Sequence, residues 1–293
     1  MWKKLLCLAL GLALGISFLD DFDPDVLKGK KVVITGASTG IGEQIAYQFA
    51  KFGADVFITS RRDNVLQQVT DKCRSIGHPD GKYLHLAADM SNMSSTEEVI
   101  KEASARLGGI DILVLNHILK INMATWEGSA ANLTLLDKIF DVNFKSYIHL
   151  SSHALPHLQT SRGSIVVISS IAGKMGLPAL SMYSATKFAL NGFFGSLRQE
   201  FHTKGCGISI TLCTIGMIGT ENAMSQMSDY GVQDVWKWFP PAQPEEAALA
   251  IVKGGVQRFR EVFFPYFQTK PVALLRDWIP GILDAFNAFI YSN

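Results

Sequence analysis

Tyr183 and Lys187 stand four residues apart in the run Tyr183-Ser184-Ala185-Thr186-Lys187. On a helix that spacing puts both side chains on one face. A phenol ionises near pH 10, too high for an efficient base at neutral pH. A neighbouring ammonium stabilises the phenolate, which lowers the phenol on the order of one to three pKa units. The pair therefore reads as an acid/base for proton transfer to or from an oxygen. Taken alone, Y-x-x-x-K is common and carries no meaning. Ser170 lies thirteen residues upstream, at the end of the β-branched run Ser164-Ile165-Val166-Val167-Ile168-Ser169. Its hydroxyl could hydrogen-bond a reacting carbonyl or alcohol oxygen. Asn143, in Asp141-Val142-Asn143-Phe144, could hold a water or backbone group that relays protons toward Lys187. For Asn143 a structural cap is an equal alternative.

A second group of residues suits a phosphate. Thr35-Gly36-Ala37-Ser38-Thr39-Gly40-Ile41-Gly42 follows the first β-branched run directly and opens a helical stretch. Glycines at such a turn let the backbone approach a pyrophosphate, and the helix N-terminus supplies free N–H groups and a positive dipole. The position after a strand favours nucleotide binding over a mere tight turn. The next strand ends in Thr59-Ser60-Arg61-Arg62. An acidic residue there would bind a ribose 2′-hydroxyl. Two guanidinium groups and no carboxylate favour a 2′-phosphate, hence NADP(H) over NAD(H).

These residues need a scaffold that brings strand ends together. Strands are predicted over 31–35, 55–59, 83–87, 111–115, 164–169 and 208–213, with a seventh over 261–264. Helices are predicted over 41–52 and about 64–75. The strands are apolar without strict alternation, which fits a parallel sheet buried on both faces. Alternation with helices predicts an α/β, doubly wound Rossmann-type fold with a sheet of about seven parallel strands. No linker or repeat divides the body, so residues 24–293 read as a single domain.

Composition sets the outer bounds. Of 293 residues, 48% are hydrophobic and 18% charged, and 27 Lys+Arg against 26 Asp+Glu leave a net charge of +1. That excludes a disordered or strongly acidic chain and leaves no electrostatic case for nucleic acid. The mean hydropathy of +0.18 points to membrane contact or large apolar surfaces. Lys3 and Lys4 precede the uncharged run 5–19, which Asp20 and Asp21 follow. This is the pattern of a cleaved signal or a short signal anchor over residues 1–23, and it sends the body into the secretory pathway. A helix over that run spans about 22 Å, short against about 30 Å of hydrocarbon. The sequons at Asn92 and Asn132 are compatible with a lumenal or secreted glycoprotein. Four scattered cysteines read as buried free thiols. His149, His153 and His157 recur every four residues, but Pro156 interrupts the pattern and no carboxylate or thiolate joins it, so no metal is expected. The segment from about 271 carries an apolar helical stripe, interrupted near Pro280, that could meet a membrane, a second subunit or its own domain.

Taken together, the glycine turn, Asn116, Asn143, Ser170, Tyr183 and Lys187 resemble the short-chain dehydrogenase/reductase family in order and spacing, over most of residues 28–220. Within it the chain is similar to the 11β-hydroxysteroid dehydrogenase type 1 group. The matching stretches are Gly29-Lys30-Lys31-Val32, Leu115-Asn116-His117-Ile118, Ser169-Ser170-Ile171-Ala172-Gly173-Lys174 and residues 187–194 and 210–213. Phe22-Asp23-Pro24, Ala88-Asp89-Met90 and residues 192–198 lean toward its type 1-like branch. The resemblance implies Tyr183 as acid/base, Lys187 on the nicotinamide ribose and Ser170 on the substrate oxygen. It implies dinucleotide contacts from Gly36, Ala37, Ser38, Thr39, Gly40, Ile41, Gly42, Arg61, Arg62, Asp89, Met90, Asn116, His117, Ile118, Ile218, Gly219 and Thr220. A homodimer is also implied. The expected reaction is NADP(H)-dependent interconversion of a secondary hydroxyl and a ketone on a steroid, as in cortisol and cortisone. A retinoid or other lipid alcohol, or a non-catalytic dinucleotide- or lipid-binding protein, is the alternative. The chain departs from the group at Thr39, where Lys is usual, at Leu177, where a steroid-contacting Tyr is usual, and over residues 230–241.

Overall fold

Seven short strands form one sheet in the computed structural model, which describes residues 22–120, 122–231 and 239–291. They are β1 (Lys31–Thr35), β2 (Asp55–Ser60), β3 (Tyr83–Ala87), β4 (Ile112–Leu115), β5 (Ser164–Ser170), β6 (Ser209–Ile215) and β7 (Glu261–Phe264). Their spatial order is β3-β2-β1-β4-β5-β6-β7, and every neighbouring pair is parallel. The helices are α1 (Gly40–Lys51), α2 (Asp63–Ile76), α3 (Met93–Leu107), α4 (Ala130–Phe140), α5 (Ser146–Ser161), α6 (Ser181–Lys204), α7 (Glu221–Tyr230), α8 (Pro244–Val256), α9 (Tyr266–Leu275) and α10 (Pro280–Tyr291). A π-helical turn, Asp141–Lys145, joins α4 to α5.

The unbroken apolar runs have a direct cause. Val32 and Ile34 enter one core with Ile45 and Phe49 of α1, whereas Val33, between them, enters the other with Val99 and Leu107 of α3. Alternate side chains thus feed two cores, so neither face of a central strand is polar. From β1 the chain winds outward to β2 and β3, then crosses back to β4. The strand order therefore reverses between β1 and β4, where an open α/β sheet forms its ligand crevice. The turns after β1, β4, β5 and β6 all lie at that end of the sheet.

Several local readings need correction or a new account. Strand β6 extends to Ile215, past the expected 213, because its backbone continues the ladder with Ser170 of β5 and Phe264 of β7. Pro156 lies inside α5 and does not end it. The apolar C-terminus is two helices, α9 and α10, separated at residues 276–279. Asn92 and Asn132 both have structural work. The Asn92 side chain accepts from Ser94 N and caps α3, and Asn132 forms a capping box with Ser129 at the start of α4. Cys73, Cys206 and Cys213 are free thiols. Residues 1–21 of the expected leader (1–23) and residues 232–238 of the divergent stretch 230–241 lie outside the described residues. Among the described residues no helix is long and apolar enough to cross a membrane. Nor does any group of three or more His, Cys, Asp or Glu gather as a metal site there.

Candidate active site

Helix α6 carries Tyr183 and Lys187, and the Lys187 Nζ lies 5.5 Å from the centre of the Tyr183 ring. Lys187 is only 1% exposed. A buried ammonium requires acceptors, and Lys187 donates to the carbonyl of Ile168 in β5 at 2.7 Å. Burial pushes this lysine down to about 7. Tyr183 is pushed by burial up to about 12, offset in part by its hydrogen bond with Ser170. This corrects the expectation of a phenol lowered by Lys187. In the protein by itself, burial costs the phenolate more than its neighbours return. Ser170 is fixed at the end of β5 because its Oγ accepts from Ala172 N at 3.1 Å and caps the short 3₁₀ turn Ile171–Gly173.

Asn143 sits inside the π-helical turn and is fully buried. Its Oδ1 accepts from Leu119 N at 2.7 Å, so the side chain does anchor backbone. Its Nδ2 has no partner among the described residues. A buried amide left half-used is a place for a water or a ligand oxygen. The two readings open for this residue are therefore compatible, one for each end of its amide.

The glycine turn is built to approach something closely. Helix α1 begins at Gly40 with Thr39 as its N-cap, and the Thr39 side chain makes no capping bond. The first-turn N–H groups thus have no side-chain acceptor. Gly36 has φ +67°, and a Cβ there would sit 2.6 Å from His117 Cα. A Cβ on Gly42 would sit 2.4 Å from both Asn116 Nδ2 and Gly36 O. That spacing serves Asn116, whose Nδ2 donates to Thr35 O at 3.2 Å and Gly36 O at 3.0 Å. A Cβ on Gly40 would lie 3.1 Å from Thr220 Cγ2, so the turns after β1 and β6 touch. Arg62 donates to Ser38 Oγ at 3.1 Å, and Arg61 is exposed beside it. A bare helix N-terminus, a side-chain-free cradle and a guanidinium at its rim fit the pyrophosphate and ribose of a dinucleotide. Hydride transfer is the chemistry that a bound nicotinamide supplies.

The remaining expected contacts are distributed around this crevice. Ala37 is buried, and Ile41 packs against the α1-side core. Asp89 is exposed and accepts from Ser91 N, whereas Met90 is buried in the α3-side core. Ile118 is 45% exposed after β4. Ile218 is buried and bridges to Ala242, Gly219 N donates to Ala242 O, and Thr220 caps α7. His117 differs from its neighbours, because its ring turns inward and is 7% exposed. Its side chain is engaged inside the protein and leaves only backbone for a ligand. Sequence reasoning placed Thr35 in the glycine turn but gave it no role of its own; its Oγ1 meets Asn116 N, His117 and Val114 O. Its place at the last position of β1, before Gly36, was the available signal.

Gly42→Ala is expected to abolish tight dinucleotide binding while the sheet stays folded. The added methyl meets a carbonyl and an amide, neither of which can yield without opening the turn. Titration of NADPH fluorescence beside a circular-dichroism spectrum reads both effects. Unchanged affinity would show that the turn is not the cradle.

Comparison with known proteins agrees with this geometry. The profile of the short chain dehydrogenase family matches residues 30–231. The "Hydroxysteroid 11-beta-dehydrogenase 1-like protein" of Xenopus tropicalis is 42% identical over 272 residues, covering 93% of this chain and 91% of the relative. The protein of the same name from Gallus gallus is 43% identical over 290 residues, covering 97% and 96%. Among solved structures, a 3-oxoacyl (acyl-carrier-protein) reductase from Agrobacterium tumefaciens with NADP bound superposes with a TM-score of 0.71 at 23% identity. That match covers 84% of this chain and 97% of the reductase, and it shows the shared fold. The chain belongs to the short-chain dehydrogenase/reductase family and is an oxidoreductase of that family.

Proposed function

We propose that this protein interconverts a secondary hydroxyl and a ketone on a steroid, with NADP(H) as hydride carrier and Tyr183 as acid/base. The observation that carries the reading is Tyr183 on α6 with buried Lys187 Nζ 5.5 Å from its ring centre, and Ser170 near enough to ease the burial of its phenol. Ser170 and Tyr183 can share one substrate oxygen. Burial keeps the phenol protonated, the form that donates to a carbonyl oxygen. Lys187 donates to Ile168 O and lies over the Tyr183 ring. Asn143 Nδ2 can fix a water near that lysine. The names of the relatives support a hydroxysteroid. A second reading, another lipid alcohol, is favoured by Leu177. Leu177 stands where the resembling group has a steroid-contacting Tyr, and it lines a groove of about 500 Å³ whose walls do not include Ser170 or Tyr183.

The test is NADPH or NADH consumption with a panel of keto-steroids and lipid ketones. NADPH is expected to be preferred, because Arg62 reaches the glycine turn and Arg61 lies free beside it. Charge-assisted bonds to a 2′-phosphate give roughly 10- to 100-fold discrimination. Arg61→Ala with Arg62→Ala should weaken NADPH binding and leave NADH binding near its original value. Equal loss for both dinucleotides would remove the 2′-phosphate assignment.

Placement follows the same reading. A secretory location with residues 1–23 as signal or anchor remains our assignment from the charge pattern, with the protein lumenal or secreted. Trp278, Phe267 and Phe289 are 83%, 71% and 67% exposed on and between α9 and α10, which supports contact with a membrane or a second copy. Gly192 and Gly195 leave open space on α6, which supports close helix approach in a homodimer.

A further inference from the structure

His117 stands at the centre of a buried hydrogen-bond chain. Its Nδ1 lies 2.8 Å from Thr35 Oγ1. Its Nε2 lies 2.7 Å from Ser146 Oγ and 3.1 Å from Val142 O. Its own carbonyl accepts from Tyr147 OH at 2.7 Å, and the two rings lie 4.6 Å apart. The chain's two ends matter. Thr35 is the residue before Gly36 of the glycine turn. Val142 and Ser146 flank Asn143 on and beside the π-helical turn.

Counting protons assigns the ring. Burial pushes the imidazole down to about 3, and the Lys187 charge acts in the same direction, so the ring is neutral and has one N–H. Thr35 Oγ1 lies 3.3 Å from Val114 O, and Ser146 Oγ lies 2.6 Å from Val142 O. Both hydroxyls cannot donate to those carbonyls while both ring nitrogens are satisfied by a single hydrogen. The Ser146 bond is the shorter by far and is kept. Thr35 therefore turns its proton from Val114 O to Nδ1, and Nε2 carries the ring hydrogen toward Ser146 Oγ and Val142 O.

We propose that His117 is a positioning residue: a neutral Nε2–H imidazole that ties the root of the glycine turn to the turn carrying Asn143. It touches no reacting atom. It sets the distance between the strand end that cradles the dinucleotide and the half-used Asn143 amide. The kinetic part of this inference rests on the proposed steroid-ketone reaction; its other parts do not.

The experiment separates the two ends of the ring. In His117→Asn the amide replaces Nδ1 and keeps the Thr35 link. In His117→Gln the amide reaches the Nε2 position and keeps the Ser146 link. His117→Asn should retain NADPH affinity and lose kcat on the order of 10- to 100-fold, the scale of a small misplacement. His117→Gln should weaken NADPH binding and retain more of kcat. Loss of both quantities in equal measure in the two variants, or of neither, overturns the coupling role. Nitrogen-15 spectra of histidine-labelled wild-type protein read the tautomer without any substitution. A neutral Nε2–H ring unchanged between pH 6 and 8 supports the assignment; an Nδ1–H ring or titration in that range overturns it. If no steroid ketone is reduced, NADPH affinity and the spectra still decide the matter, so failure of the substrate reading stays distinct.

Discussion

Tyr183→Phe is expected to lower turnover by roughly 10²- to 10⁴-fold, the usual contribution of a positioned acid or base. Dinucleotide binding should persist, because the cradle is formed by the glycine turn, Asn116 and the turn after β6. The fold should persist as well. The lost hydroxyl meets Ser170, and Ser170 keeps its bond from Ala172 N. The loss should therefore fall on kcat. The pH dependence of the wild type has a defined sign. Ketone reduction needs the protonated phenol, which burial holds up to about 12 in the protein alone. Its rate should fall as pH rises through the phenol's value in the complex. Alcohol oxidation needs the phenolate, so its rate should rise over the same range. Steady-state kinetics in both directions across pH, with Tyr183→Phe beside the wild type, measure this. A variant that retains turnover within a few-fold of wild type would assign proton transfer to another group.

Much of this site was readable from local spacing, and the unreadable part has a common physical cause. Tyr183 and Lys187 share a helix face because they are four residues apart. The glycine turn follows β1 directly, so its role needs no distant partner. The seven strands were visible because a doubly covered sheet leaves long apolar runs. The fate of each polar group was less visible, since it depends on partners far away in the chain. Asn116 spends its amide on Thr35 and Gly36, about 80 positions earlier. Lys187 donates to a backbone carbonyl of β5, which no side-chain pattern marks. The family resemblance made His117 a dinucleotide contact, yet its ring turns to Ser146. The phenol's rise was missed for a related reason, since spacing shows the neighbouring ammonium but not how dry the pocket is. The exposed face of α9 and α10 could not be separated from a packed one, because an apolar stripe is the same in both cases.

Lys187→Met is expected to remove turnover and, at the same time, to change how stability depends on pH. The folded protein holds Lys187 down to about 7 from an ordinary 10.5, through burial. Between those values the unfolded chain binds a proton that the folded chain does not. Stability therefore rises with pH across this window. The cost of the buried lysine is largest at and below about pH 7 and is gone above about 10.5. Methionine fills a similar volume and has no such cost. It also leaves Ile168 O without its ammonium, but that loss is the same at every pH and moves only the baseline. The melting temperature of the wild type minus that of the variant should thus increase between pH 6 and 10, by several degrees on the usual scale for a chain of this size. A difference that stays flat across that range would mean that Lys187 is charged throughout and that the carbonyl bond fully compensates its burial. A rising difference, with activity lost, would mark Lys187 as a residue kept at the expense of stability, which is the signature of a site arranged for chemistry rather than for packing.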